Sequence, residues 1–180
     1  MAFDAFLIFN DPKGGAPKIH GETRDEYMKK RKAFEIDSFS FSVENTLAIG
    51  SKSGGAGAGK AQFNEFTVAK STDSGSGPLF KTCCCGGHYD KVELVLRKSG
   101  GGGEKKSGAD YLKFTFALVA VKSISWSGSS GDDVPQEEVA FEYGALKVEY
   151  AEQDPASGKL RAFKPFQWSR GTNKDNMNIA

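Results

Sequence analysis

The sequence predicts a mainly β protein, folded as a two-sheet β-barrel or β-sandwich with one flanking α-helix. The first observation is that apolar and polar residues alternate with the two-residue period of a strand in about seven segments, separated by turns rich in glycine. The second is that residues 76–85 carry helix signals, with Ser76 as a candidate cap, Pro78 near the first turn and Gly86 after the end.

Length and composition limit the class of protein. The chain has 180 residues, which suits one domain, and we expect residues 1–170 to form it and residues 171–180 to be a short flexible tail. A net charge of +1 gives no bulk field for steering toward nucleic acid or an anionic membrane, and no apolar run is long enough to span a bilayer. The three cysteines are contiguous, a poor disulfide framework that indicates folding in a reducing cytoplasm.

The amino-terminal third is expected to hold one strand, a loop and an arm. Residues 3–9 are interpreted as a strand and not as a signal peptide, because no basic region precedes them and Asp4 lies inside them. Residues 12–21 indicate a loop, and the highly charged residues 22–32 a short helix or an ordered arm. Their basic run is interpreted as a solvated surface and not as a nucleic-acid site, since acidic residues lie just upstream and no aromatic stacking platform follows.

The second strand, residues 35–47, contains the most informative alternation. Ser38, Ser40 and Ser42 fall on one side, and the apolar residues Phe39, Phe41 and Val43 fall on the side that needs a core. The serine side is small, uncharged and rich in hydroxyl groups, as the wall of a channel or a general assembly surface would be. The ordinary solvated face of an antiparallel sheet is the commoner explanation of such a pattern.

The remaining strands are expected at residues 62–70, 89–98, 111–126, 139–150 and 160–168. In the long strand, Leu118 shares the core parity with Phe116, and Lys122 would follow them inward, so a bulge or a bend is expected near residues 119–121. A second bulge is expected at Gly144, where the apolar parity changes. Pro165 places the last strand, with Phe166 and Trp168, at an edge.

Residues 49–60 are predicted to form a long glycine-rich loop, which contains most of a phosphate-binding pattern. The pattern consists of Gly54, Gly55, Gly57, Gly59 and Lys60. It needs a Ser or Thr after the lysine and a helix start to point backbone amides at phosphate. Here Ala61 follows and the next residues indicate a strand, so a flexible loop is preferred to a nucleotide site.

The cysteines and histidines form no convincing catalytic or metal site. Cys83, Cys84 and Cys85 are consecutive helical residues that point about 100° apart, so they cannot converge on one ion with His88. We therefore expect one or two cysteines to pack inward. A Cys–His pair lacks an oriented third group, and His20 is the only other histidine. No catalytic residue, metal or cofactor is predicted, and the protein is not expected to be an enzyme.

Many segments, taken in order, resemble the haemolysin-coregulated protein (Hcp) family, the inner-tube protein of the bacterial type VI secretion apparatus. The matching segments are residues 1–7, 35–42, 57–60, 66–70, 87–89, 95–100, 121–125, 128–131 and 148–150. Two features depart from the family pattern, the longer and more basic residues 17–32 and the cysteine triplet. Only a short tail follows Trp168, so we expect no toxin activity from a carboxy-terminal domain.

The resemblance implies a fold akin to phage tail-tube proteins and a homohexameric ring that stacks into an exported tube. Its implied partners are other copies of the chain, the secretion sheath and spike, and small effector proteins carried in the lumen. The lumen position corresponds best to Ser42, on the side shared with Ser38 and Ser40, and the loop from Gly54 to Lys60 corresponds to the loop that contacts neighbouring subunits. The implied location is the bacterial cytoplasm and then the exterior, without a signal peptide. Two alternatives are a monomeric β-sandwich that binds a ligand and a phosphate-loop hydrolase that uses Lys60.

Overall fold

The computed structural model describes residues 3–48, 57–98, 109–152, 154 and 160–179. They contain two helices, α1 (Glu26–Lys30) and α2 (Ser76–Cys85). The strands are β1 (Phe3–Lys13), β2 (Phe34–Glu35), β3 (Ser38–Ser40), β4 (Val43–Ala48), β5 (Gly57–Phe63), β6 (Phe66–Ser71), β7 (His88–Lys98), β8 (Ala109–Ser127), β9 (Gln136–Tyr150) and β10 (Lys164–Ser169). The predicted mainly β fold with two sheets and the flanking helix α2 is confirmed.

The larger sheet has the strand order β2-β1-β7-β8-β9-β6-β3, with β10 beside the second half of β9, and the hairpin β4–β5 forms the smaller sheet. The two end strands, β2 and β3, are consecutive pieces of one chain segment. The Ile36 amide donates to the Ala5 carbonyl in β1, and the Asp37 amide donates to the Ala69 carbonyl in β6. The sheet therefore curls until one short segment joins both of its ends, and the prediction of a single strand over residues 35–47 is wrong.

The core lies inside the curl and is rich in phenylalanine. Phe66 stacks on Phe116 with ring centroids 4.3 Å apart, and Phe41 meets Phe116 edge-on at 5.5 Å. Phe39 and Phe41 pack against this core, as predicted. Val43 does not, and 47% of it is exposed, because β4 has already left the curled sheet to pair with β5.

A transverse crease crosses the three central strands where Asp90, Leu118 and Gly144 lie opposite one another. In each strand the core residues on either side of this line are three positions apart instead of the usual two. They are Tyr89 and Val92 in β7, Phe116 and Val119 in β8, and Tyr143 and Leu146 in β9. Leu118 has a left-handed backbone (φ 51°) and is 39% exposed, so its predicted core position is wrong.

The predicted changes of parity in β8 and β9 have different causes. The change of parity at Gly144 is confirmed, but the predicted bulge at Gly144 is wrong, because the β8–β9 register is unbroken there. The β8 bulge is confirmed slightly further along the chain, between Val121 and Ser123, where Lys122 turns outward.

Helix α2 begins at Ser76 and is capped by the backbone position Gly75, so the predicted cap at Ser76 is one residue late. The helix ends as predicted at Gly86, whose left-handed conformation (φ 66°) suits glycine. Cys83 packs toward the core, whereas Cys84 and Cys85 are exposed. Within the described ranges, no helix combines the length and apolar character needed to cross a bilayer.

An ordered arm containing α1 covers the outer side of β1 and β7, as the charged segment predicted. Met28 and Ala33 are fully buried in a second small core with Phe6, Ile8 and Val95. The Asp25 carboxylate caps α1 by accepting from the Tyr27 and Met28 amides. Strand β1 continues to Lys13, so the predicted loop begins later than expected.

The last strand, β10, pairs with β9, and Pro165 lies in it as predicted for an edge. The residues after it fold back on the sheet. The Ser169 amide donates to the Lys174 carbonyl, and the Ser169 hydroxyl donates to the Asn178 carbonyl. Ile179 packs over Gly144. The flexibility of the tail and the division at residue 170 stay predictions.

Candidate assembly surfaces

Ser38 and Ser40 are exposed on β3, and the sheet register extends their small, uncharged surface across three further strands. Residues directly opposite each other in antiparallel strands share a side of the sheet. The rows are Ser40–Thr67–Ala140–Ser123, Ser38–Ala69–Glu138–Ser125 and Ser71–Gln136–Ser127. We name these residues the hydroxyl face. Glu138 is the one charged residue of these three rows, although 26% of the chain is charged. The next row toward the crease is charged, because Glu142 lies opposite Ala120 and 3.6 Å from Lys122.

Ser42 lies one step beyond the last β3–β6 pair, where the curled sheet meets the hairpin β4–β5. Its hydroxyl accepts a hydrogen bond from the Asn64 side-chain amide at 2.6 Å, and its carbonyl accepts from the Asn64 backbone amide at 2.9 Å. The three predicted serines are thus all exposed and adjacent. The serines of β8 were missed, although Ser123, Ser125 and Ser127 alternate in the sequence just as those of β3 do.

A contrasting surface lies on the other side of the crease, on β7, the first half of β8 and the second half of β9. Several ion pairs cover it, among them Arg97–Asp110 at 2.9 Å, Arg31–Glu93 at 2.7 Å, Lys113–Glu149 at 2.9 Å and Lys147–Glu149 at 3.2 Å. We name these residues the charged face. Arg97 also makes two 3.0 Å hydrogen bonds to the Asp25 carboxylate, which fasten the arm to it.

Burial and ion pairing compete in setting the pKa values of the charged face. Burial raises the pKa of Asp110 above its usual value, and the neighbouring Arg97 and Arg31 offset only part of the rise. Burial would also raise the pKa of Glu149, but the ammonium groups of Lys113 and Lys147 outweigh it, and the pKa is lowered. Glu149 is therefore held as a carboxylate between two lysines.

The glycine-rich segment is in part a strand. Gly57, Gly59 and Lys60 belong to β5 and pair with β4, so the prediction of a loop as far as residue 60 is wrong. Gly54 and Gly55 lie outside the described residues. The strand continues through Ala61 to Phe63, so the helix that a phosphate-binding loop requires after its lysine does not follow.

An apolar groove of about 390 Å³ separates the hairpin β4–β5 from β10. It is lined mainly by Val43, Ala61, Phe63, Val148, Phe166 and Trp168. Phe166 faces the side of the sheet that the alternation predicted, but it is 74% exposed because β10 extends past the core. At one end Arg170 lies over the Tyr143 ring at 5.1 Å, and burial raises the pKa of Tyr143 to about 12.

The histidines and cysteines form no site in the described part of the chain. His20 lies on the arm, where its Nε2 is 3.1 Å from Lys32 Nζ, and His88 begins β7. No group of three or more His, Cys, Asp or Glu side chains among the described residues could hold a metal ion.

Comparison with known proteins gives a consistent match. The family model for the type VI secretion system effector Hcp matches residues 6–150. The chain is 32% identical to protein hcp1 of Pseudomonas aeruginosa over 94% of this chain and 96% of that protein. A solved structure of a type six secretion system protein aligns with a TM-score of 0.82 and 30% identity, covering 97% of this chain and 100% of the other. The structure of Hcp1 from Salmonella typhimurium aligns with a TM-score of 0.70 and 25% identity, covering 98% and 100%.

The family match spans most of the described sheet, from β1 to the end of β9, and the relatives match along nearly their whole length. The chain therefore belongs to the Hcp family of type VI secretion system proteins.

Proposed function

We propose that the protein is a structural subunit that forms hexameric rings, and that these rings stack into the exported inner tube of a type VI secretion apparatus. Its partners are other copies of itself, the sheath and spike of the apparatus, and small effector proteins carried in the lumen. It begins in the bacterial cytoplasm, is exported to the exterior and acts without catalysis. The observation that carries the proposal is the hydroxyl face, with its single charge, in a chain of the Hcp family.

The hydroxyl face has the chemistry that the lining of a transport bore needs. Serine and threonine hydroxyls exchange hydrogen bonds readily with water, so a passing protein loses and regains similar contacts. A lining with many fixed charges would instead bind one class of cargo strongly and repel the other. With Ser38, Ser40 and Ser42 at one margin and the β8 serines at the other, the face can hold varied cargo weakly.

The outer parts of the protomer supply surfaces that need cover. Strand β10 is an edge strand, and the apolar groove beside it exposes Phe166 and Val43. Exposed strand edges and large apolar patches in one place are typical of an assembly surface. We assign contact with the neighbouring subunit to the hairpin β4–β5, which contains Gly57, Gly59 and Lys60, together with the chain segment 49–56, which contains Gly54 and Gly55.

The state of assembly is tested by light scattering after size-exclusion chromatography, followed by negative-stain microscopy. We expect a particle of six 19.4 kDa chains with a central hole. A particle with the mass of one chain would overturn the proposal and favour the alternative, a monomeric ligand-binding module that uses the apolar groove. A ring of another order would keep the assembly and change its symmetry.

The assignment of the bore is tested separately with Ser42→Trp. We expect rings to form while the retention of a co-expressed small effector falls, because six indoles then narrow the bore. Lys29→Trp, on the exposed side of α1, is the matched control and is expected to retain cargo normally. Normal retention by intact Ser42→Trp rings would refute the assignment.

A further inference from the structure

A second exposed apolar surface lies far from the groove, beside helix α2. Phe80 is 51% exposed, Trp126 46% and Val134 43%. The Phe80 and Trp126 rings lie 6.1 Å apart between their centroids. We name these three residues the aromatic patch. It projects where α2 lies against the end of the β8–β9 hairpin.

A buried ionic network positions the aromatic patch. The Trp126 indole donates to Glu137 Oε2 at 2.9 Å, and Glu137 Oε1 lies 2.8 Å from Lys70 Nζ. Lys70 Nζ also lies 2.8 Å from Asp73 Oδ1, which accepts a hydrogen bond from Gly75 at the start of α2. The network thus connects Trp126 on β8 with the helix that carries Phe80.

The cost of this network indicates that the position of the patch matters. Lys70 and Glu137 are each only 2% exposed, and a buried ion pair seldom stabilises a fold more than apolar side chains of similar volume would. What it does provide is a fixed orientation for a large exposed indole. An aromatic anchor that is already held in place loses little conformational entropy on binding, as protein interfaces require.

The aromatic patch and the apolar groove lie at opposite ends of β9. Trp126 pairs with Glu137 near its start, and Phe166 pairs with Val148 near its end. At about 3.3 Å per residue the two are up to about 35 Å apart along the strand, with the crease between them. They cannot cover each other within one chain. A ring formed by rotation uses two different surfaces per protomer, which meet head to tail.

The charges around the two surfaces are complementary. Asp132 and Asp133 lie in the hairpin turn next to Trp126. Lys60 and Arg170 lie together at the end of the groove, where they share a shallow depression with Phe63. Arg170 is also paired with Glu142 at 3.0 Å, so Lys60 supplies the net positive charge there. One basic residue, Lys81, follows Phe80 on α2, but it belongs to the helix and not to the acidic turn. An acidic turn would therefore meet a basic groove end in a head-to-tail contact.

We propose that the aromatic patch of one protomer docks into the apolar groove of the next copy of this chain, with Phe80 and Trp126 against Phe63, Phe166 and Trp168. This contact rests on the ring assembly proposed above and specifies which two surfaces close the ring.

The test is a mixing experiment with one variant for each surface. Phe80→Glu damages only the patch, and Phe166→Glu damages only the groove. Both positions are exposed, so each variant is expected to fold, which circular dichroism and thermal unfolding check. Each alone should stay monomeric at a concentration where the wild type forms rings. Mixed in equal amounts they should form a heterodimer and stop, since one undamaged patch meets one undamaged groove.

Tyr27→Glu is the matched control, an aromatic of similar exposure on the arm, and it should assemble as the wild type does. Tryptophan fluorescence gives a second signal, because the only two tryptophans of the chain, Trp126 and Trp168, lie on the two surfaces. Their emission should shift to shorter wavelength on assembly.

The outcomes separate the two proposals. Rings formed by either variant, or variants that stay monomeric when mixed while the wild type forms rings, overturn the head-to-tail contact and leave the ring intact. A wild type that stays monomeric overturns the proposed function itself.

Discussion

Strands β8 and β9 each contribute one half to the hydroxyl face and the other half to the charged face. On one side of the crease Lys122 and Glu142 pair at 3.6 Å close to the crease, and further from it the outward residues of β8 are Ser123, Ser125 and Ser127. On the other side the outward residues of β8 and β9 include Lys113 and Glu149, joined at 2.9 Å. The same two strands therefore present an adaptable surface and a fixed one. The difference indicates that ion pairs are concentrated where the arm is fastened and near the crease, and that the serine rows further from the crease carry few charges.

The crease makes the two faces possible in continuous strands. Because side chains alternate along a strand, a shift of one position exchanges the inward and outward sets. Here all three central strands make the exchange on one line, at Asp90, Leu118 and Gly144. The core stays continuous across the line, while the outward composition changes from charged to hydroxyl once the Lys122–Glu142 pair is passed.

The largest expected effect is on the charged face, for Arg97→Ala. Removing the guanidinium leaves Asp110 and Asp25 near each other without their shared cation, in a site where Arg97 is only 4% exposed. We expect the free energy of unfolding to fall by about 3 kcal/mol, measured by urea denaturation. Lys91→Ala, which breaks a 3.5 Å pair to Glu93 at an exposed position, is the control and should cost less than about 0.5 kcal/mol. Equal losses of stability for the two variants would show that Arg97 does not fasten the arm to the charged face.

The second prediction concerns pH. The pKa of Glu149 is lowered in the folded state from an ordinary value of 4.5, so its contribution to stability is present above pH 4.5 and is lost as the pH falls through the folded pKa. Glu149→Gln should lower the free energy of unfolding by about 1 kcal/mol at pH 7 and by less under acid. The pKa of Asp110 is raised, so its contribution to stability has the opposite pH dependence. Because Asp110 is present in both proteins, its contribution cancels when the variant is compared with the wild type. A pH-independent difference would contradict the account.

The crease itself is tested at Leu118. Its φ of 51° lies in the left-handed region, where a β-branched side chain is strained. Leu118→Val should therefore destabilise the protein by about 1 kcal/mol in thermal or urea unfolding. Leu118→Asn is the control, because asparagine tolerates this conformation, and it should cost less. If valine is tolerated better than asparagine, the left-handed crease is not present in solution.

The smallest effect is expected on the hydroxyl face. Ser125→Ala should change the free energy of unfolding by less than about 0.5 kcal/mol, because the side chain is exposed. Ser169→Ala is the contrasting serine, fully buried, with a hydroxyl that donates to the Asn178 carbonyl and accepts from the Thr172 amide at 3.1 Å. It should cost about 1–2 kcal/mol. A large loss for Ser125→Ala would mean that the face is a structural element.

The sequence allowed the fold to be predicted where the pattern is local. Alternation located the long strands, and Lys122 indicated the β8 bulge, since a lysine at a core position demands one. The closing segment was missed because residues 34–40 pair with β1 and β6, which lie far apart in the sequence, and two short pairings leave no periodic signal. Val43 and Phe166 fit the alternation and are exposed all the same. Alternation predicts which side of the sheet a side chain faces, but not whether another part of the protein covers that side. The hydroxyl face was found only in part, since the rows across β3, β6, β9 and β8 follow from the register.

Whether the hydroxyl face lines the bore is tested most directly by a cryo-electron-microscopy reconstruction of the assembled protein, at a resolution that traces β3 and β8. We expect Ser38, Ser40, Ser123 and Ser125 to surround the central hole and the charged face with its arm to lie away from it. Serines on the outer circumference, with the Lys113–Glu149 pair lining the hole, would contradict this assignment.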